Sequence, residues 1–263
     1  MTQNLWVYGD SFSADYDQEE WIWSRALAHR FADAGMIKHY KNASQAGAAN
    51  DWIMMQIQED LDRWDQGDYV IVIPTETGRQ WWFEDAPYLS NIVSMRGSEE
   101  AKDYSRKFPN RVQAVEYYVT QLWRPEIDKL RFDQALTWLK ICALEKGVEL
   151  VIMPAFEIGI NYTGVIHTVG SLTELVSNQE FVSEQDMHRW YSTGVDTRYN
   201  HMTRTNHGIM VDKLWDRFTQ HTPVDLTQGF VQHTLEFKHR LTLVDELGPW
   251  LINKAKTATV GKL

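Results

Sequence analysis

Ser11 stands in Gly9-Asp10-Ser11-Phe12-Ser13, directly after the apolar run Leu5-Trp6-Val7-Tyr8. An apolar run that stops at a glycine reads as a buried strand ending in a sharp turn, which sets the Ser11 hydroxyl at the strand's carboxyl end. A serine hydroxyl is a poor nucleophile until a base takes its proton, and imidazole does this near neutral pH. Two late histidines, His201 and His207, are candidates. His207 shares helical spacing with Met210 and Leu214 and is expected in the interior, whereas His201 precedes that helix and is better placed to face a cleft. Metal chemistry finds little support: there is no His-Glu-x-x-His, no cysteine pair and no Asp-rich loop of calcium spacing. Glycine-rich phosphate loops are absent too, so neither a metal nor a cofactor is expected.

The elements that must position these groups alternate. Asn4 to Tyr8 is the first strand, and Trp23, Leu27, Phe31 and Ala34 fall on one helical face that ends near Gly35. His39 to Asn42 reads as a short second strand. Asn50 can cap the next helix, which turns Ile53, Ile57, Leu61 and Trp64 inward, and Tyr69 to Ile73 is a strand covered on both faces. From about Glu84 to Lys107 the chain is polar and irregular. A long helical region then starts at Pro109, with Val112, Val115, Val119 and Leu122 as one stripe. Pro125 breaks or restarts it, Ile127, Leu130, Leu139 and Cys142 continue the apolar face, and Gly147 closes it. Leu150 to Met153 is a fourth strand. Thr203 can cap a last helix with His207, Met210 or Val211, Leu214 and Phe218 inward.

Composition narrows the class. The 263 residues are 43% hydrophobic, enough for a real core, and carry a formal net charge of -10. That balance argues against nucleic acid, which needs a basic face. Cys142 is the only cysteine and excludes an intrachain disulfide. No stretch approaches the roughly 18 apolar residues of a membrane span, and no basic-then-apolar leader opens the chain, so a cytoplasmic protein is expected. Several of the 12 tryptophans (Trp21, Trp23, Trp52, Trp81, Trp82) fall near Ser11 and its neighbouring segments, as core or as a ring-lined groove.

Four segments stand in a recognisable order. Gly9-Asp10-Ser11 follows the first strand, and Asn42-Ala43-Ser44-Gln45-Ala46-Gly47-Ala48-Ala49-Asn50 fits N-x-S-x-x-G-x-x-N about thirty residues on. The buried strand at Val70 to Ile73 comes next, and Asn200-His201 leads into the last helix. Together they resemble the SGNH (GDSL-like) hydrolase family, over the chain from its first strand to about residue 218. The resemblance implies Ser11 as nucleophile, His201 as base and then acid, and the Ser11 and Gly47 backbone amides as donors to an oxyanion. Asp10 is expected to hold the turn, with Ser13 and Ser44 satisfying turn amides.

Two positions depart from the family. Its third block, G-x-N-D, is replaced by Pro74-Thr75-Glu76-Thr77-Gly78-Arg79. Thr77 falls in register with the missing Asn and offers a hydroxyl, and Arg79 offers a full positive charge. The acid three residues before the base is Arg198 here; either Asp196 or a backbone carbonyl orients the imidazole. The T-x-x-x-R ending from Thr75 to Arg79 and the run around His201 are also similar to SGNH-like proteins of tailed bacteriophages, which implies a phage origin and a host-cytoplasm location.

The expectation is therefore an α/β protein with three α/β/α layers around a parallel sheet of about five strands, flavodoxin-like in arrangement. A hydrolase domain over 1–221, with insertions near 84–107 and 156–200, carries a C-terminal extension over 222–263. The site comprises Ser11, His201 and Asp196 with Asp10, Gly47, Asn50, Thr77 and Arg79 around the oxyanion and substrate. A small-molecule or glycan ester is the expected substrate. A virion-associated binding protein without turnover and an acyltransferase remain as alternatives, and composition does not fix the oligomeric state.

Overall fold

A computed structural model describes residues 2–15, 20–82, 99–156, 167–173, 202 and 204–231. Its main sheet contains β1 (Gln3–Tyr8), β2 (Ile37–Asn42), β3 (Tyr69–Val72) and β4 (Glu149–Ile152), all parallel, in the order β2-β1-β3-β4. The chain leaves β1 to one side for β2 and then crosses to the other side for β3. That reversal opens a crevice at the carboxyl ends of β1 and β3, the usual binding place in open parallel sheets.

The layering follows from strand periodicity. Leu5, Val7, Ile71, Ile73, Val151 and Met153 point to one face and pack with α1 (Trp23–Asp33) and the late helix Arg204–Gln220. Trp6, Tyr8, Val70, Val72, Leu150 and Ile152 point to the other, against α2 (Asn50–Asp60) and the long helix Pro125–Lys146. Because alternate side chains of one strand lie on opposite faces, near-continuous apolar runs require helices on both sides. Two shorter helices, α3 (Glu99–Lys107) and α4 (Pro109–Tyr117), precede that long helix, α5, and the late helix is α6.

Several expectations are corrected. The irregular stretch expected to run to Lys107 ends instead in α3. Asn50 does not cap α2: Ala49 is the extended residue before the helix, and the Asn50 amide reaches elsewhere. Of the expected α4 stripe, Val112 and Val115 are buried while Leu122 is exposed, because a π-helical turn over Tyr118–Leu122 rotates the chain before Pro125. In α5 Ile127 and Leu130 are exposed, and Asp128, Phe132, Leu136 and Leu139 face inward. The main sheet has four strands among the described residues. Residues 167–173 lie along the free edge of β4 and its extension, with the Leu172 and Thr173 N–H groups donating to Pro154 O and Ala155 O. There β5 (Thr168–Val169) pairs in parallel with β6 (Val224–Asp225) as a separate two-stranded piece. The proposed caps and insert positions at Thr203, 84–98, 157–166 and 174–200 lie outside the described residues. No described helix is long and apolar enough to cross a membrane.

His167 closes the β4 edge. Its Nδ1 accepts the Ile152 N–H at 3.1 Å. Burial, with the Arg217 and Lys140 charges, lowers its pKa to about 4. Above the ordinary value of about 6.5 the ring is neutral whether the chain is folded or not. Below it the unfolded chain takes up a proton that the folded chain resists down to about 4, so stability is lost as pH falls through that window. Urea unfolding at pH 7.5 and pH 5 should therefore show a smaller acid loss for His167→Gln, which keeps an acceptor, than for wild type. Equal losses would remove His167 as the cause.

Candidate active site

The turn after β1 is built from its own backbone and one buried carboxylate. Asp10, fully buried, accepts the Phe12 N–H through Oδ1 at 3.0 Å, while Ser13 N and Ala14 N donate to Asp10 O at 3.1 and 3.0 Å. The chain folds back so tightly that a Cβ on Gly9 would sit 2.4 Å from Ser13 Oγ and 2.6 Å from Ile73 Cβ. Only glycine fits. Ser11 lies half-buried on this turn, at the crevice end of β1.

The second segment docks onto the first. Gln45 N donates to Gly9 O at 3.0 Å, Asn42 Nδ2 donates to Ser13 O at 2.6 Å, and the Ser13 hydroxyl donates to Ser44 Oγ at 2.8 Å. The two serines thus bond to each other across the segments. Ala48 N returns to Gln45 O at 3.0 Å, closing a turn whose third residue, Gly47, has φ 74°. That left-handed position is where a type II turn calls for glycine, which accounts for Gly47 without reference to a ligand.

The third segment is held by both of the others. Asn50 Nδ2 donates to Thr75 O at 3.0 Å and to Glu76 O at 3.2 Å, while its Oδ1 accepts Thr75 N at 2.8 Å. Asn50 is a clamp on residues 75–76. Arg79 reaches back to Asp10 Oδ2 at 3.4 Å, pairs with Glu76 at 3.6 Å and lies over the Phe156 ring, 5.1 Å from its centre. Phe156 meets Phe12 edge-on at 5.8 Å. Burial raises the Asp10 pKa, and the Arg79 charge and the Phe12 N–H oppose that rise. The Arg79 guanidinium therefore has a structural task at the site, whatever it does toward a ligand.

Five of the expected oxyanion and substrate groups, Asp10, Gly47, Asn50, Thr77 and Arg79, thus lie on segments that bond directly to the Ser11 turn or to one another. His201 and Asp196 lie outside the described residues. Met202, next to His201, is buried in the same apolar cluster as Phe12, and His207 is an interior histidine whose Nδ1 accepts Trp23 N at 3.2 Å.

A cleft of about 410 Å³ opens beside Thr77 and Arg79 and continues between α2 and α5. Met54, Met55, Phe132 and Trp138 make its apolar walls; Asp51, Gln58, Asp128 and Arg131 supply polar groups. Trp123 and Arg131 both reach the buried Asp128, through Nε1 and a guanidinium 3.7 Å away. Sequence reasoning missed the α5 wall and Phe156. Asp128 breaks the apolar series of α5, and that was the one signal available. Among the described residues no group of three or more metal-ligating side chains converges.

No family model matches the chain, and no curated protein matches it either. Among solved structures it is similar to the psychrotrophic esterase EstA from Pseudoalteromonas sp., in a structure inhibited by monoethylphosphonate. The identity is 14% over 83% of this chain and 97% of that one, with a TM-score of 0.40. It is similar also to TesA, at 15% identity over 83% of this chain and 99% of that one, with a TM-score of 0.45. What the site does is therefore read from its own residues.

Replacing Arg79 by Met leaves the Asp10 carboxylate buried without its counter-charge. The loss should be on the order of 2–4 kcal/mol, near the lower end for broken buried pairs because Arg79 keeps some contact with solvent. Asp10→Asn combined with Arg79→Met should recover part of it in denaturant unfolding. If the double variant is no more stable than Arg79→Met alone, the pair does not carry the effect.

Proposed function

We propose that the chain is an SGNH-like serine hydrolase that cleaves a carboxylic ester, an acyl or acetyl ester of a carbohydrate or of a lipid-like alcohol, through an acyl-Ser11 intermediate. The observation that supports this reading is the meeting of the 9–13, 42–50 and 74–79 segments at the carboxyl ends of β1 and β3, with Ser11 on the innermost turn. In this reading His201 takes the Ser11 proton as Oγ bonds to the ester carbon. The negative oxygen is met by the Ser11 and Gly47 amides and the Thr77 hydroxyl, and preorganised donors of this kind contribute about 2.7–4 kcal/mol each. The imidazolium returns the proton to the departing alkoxide as the ester C–O bond breaks. Water, deprotonated by the same imidazole, then releases the acid and restores Ser11. Asp196 or a backbone carbonyl holds the imidazole in orientation.

A second reading is favoured by the engagement of Arg79 with Asp10 and Glu76 and by Thr77 at the amide position. With its strongest donor occupied, the fold would serve as a virion-associated binding protein without turnover.

A fluorophosphonate probe separates the two. Wild type should be labelled covalently, and neither Ser11→Ala nor His201→Ala should be; Ser11→Ala should also lose about 10⁴-fold or more of its hydrolysis of p-nitrophenyl acetate. A folded wild type that takes no label belongs to the binding protein instead.

A further inference from the structure

The 22-residue helix α5 has two apolar faces. Phe132, Leu136, Leu139 and Ala143 enter the core beside the sheet. On the far side Ile127, Leu130, Ile141 and Leu144 are 43%, 52%, 51% and 73% exposed. With the exposed Gln134 and Thr137 they fall at alternating steps of three and four residues, the a and d repeat of a two-helix seam about 26 Å long. The core accounts for the first face only. A run of apolar residues kept in heptad register on a solvent face is the pattern that packs against another helix.

The flanking charges say what that helix is. We propose that this face is the seam of a twofold-symmetric homodimer, in which α5 packs antiparallel on α5 of a second copy of this chain. In that register Ile127 meets Leu144 of the second copy, Leu130 meets Ile141, and Gln134 meets Thr137 in the central layer. The positions beside the seam are then complementary. Asp133 faces Lys140 and Arg131 faces the Trp138 ring, each contact made twice by symmetry. A central polar layer between apolar ones fixes the alignment of such seams. Arg131 and Trp138 also line the cleft between α2 and α5, so the second copy borders its outer rim.

Light scattering on the size-fractionated full chain tests this. Wild type should run at twice 30.8 kDa, and Ile141→Lys with Leu144→Lys should run at 30.8 kDa with an unchanged circular dichroism spectrum, since both residues are on the surface. Asp133→Lys and Lys140→Asp should each weaken dimerisation about tenfold by opposing like charges, and the two together should return it to near wild type. A parallel pairing would set Asp133 beside Trp138 rather than Lys140, and the exchange would then restore nothing. A wild type that is monomeric at every concentration at which it stays in solution overturns the proposal. So does a dimer that survives the two lysines, or a charge exchange without recovery.

Discussion

Strands covered on both faces have no side chain to offer to chemistry, and this constraint organises the molecule. Every residue of β3 from Val70 on, and all of β1 after Gln3, is buried between helices. Reactive groups are therefore confined to the turns that leave the strands, and the reversal of strand order beside β1 leaves those turns room to converge. Gly9, Asp10 and Ser11 are the first residues outside the sheet, and Pro74 to Arg79 follow the neighbouring strand. The site is where the core ends.

What keeps those turns together is a set of contacts between segments that are distant in sequence. Backbone and side-chain amides link the 9–13 and 42–45 turns, the Asn50 side chain links the start of α2 to residues 75–76, and Arg79 closes the ring at Asp10. Asp10 is the costly member. Burial raises its pKa, and the Arg79 guanidinium and the Phe12 N–H offset part of that rise. At the opposite end of the sheet Asp68 plays a comparable part, accepting from Asn4 N, Asn4 Nδ2 and Trp6 Nε1. Each end of β1 is thus tied to β3 or the chain beside it by a buried aspartate.

Much of this was legible in the sequence where periodicity is strong. The four strands, α1, α2 and α6 fall within a few residues of their expected positions because long apolar runs and 3.6-residue stripes admit few other readings. The inward set of α6, His207, Met210, Leu214 and Phe218, is buried as its spacing implies. Legibility failed where a residue's partner lies far along the chain. Asn50 has the composition of a helix cap, and nothing local says that residues 75–76 will claim its amide. Leu122, Ile127 and Leu130 look like core by type, yet the π-helical turn before Pro125 changes which side of the next helix faces the sheet. Gly9 and Gly47 were legible as glycines in a motif. Their reasons differ, one being crowding by Ile73 and the other a left-handed turn, and only coordinates separate those.

The difference between the tied turns and the cleft walls beyond them has an evolutionary consequence. Residues 9–13, 42–50 and 75–79 constrain one another through backbone geometry, so drift there is penalised whatever the ligand. Farther along the cleft, Met54, Met55 and Gln58 of α2 and Ala135 of α5 line the walls, and none of them is hydrogen-bonded to the Ser11 turn. A change at Gln58 or Ala135 would alter what the cleft admits and leave the bonding of the Ser11 turn as it is, whereas Met54 also packs against the core and is less free to vary.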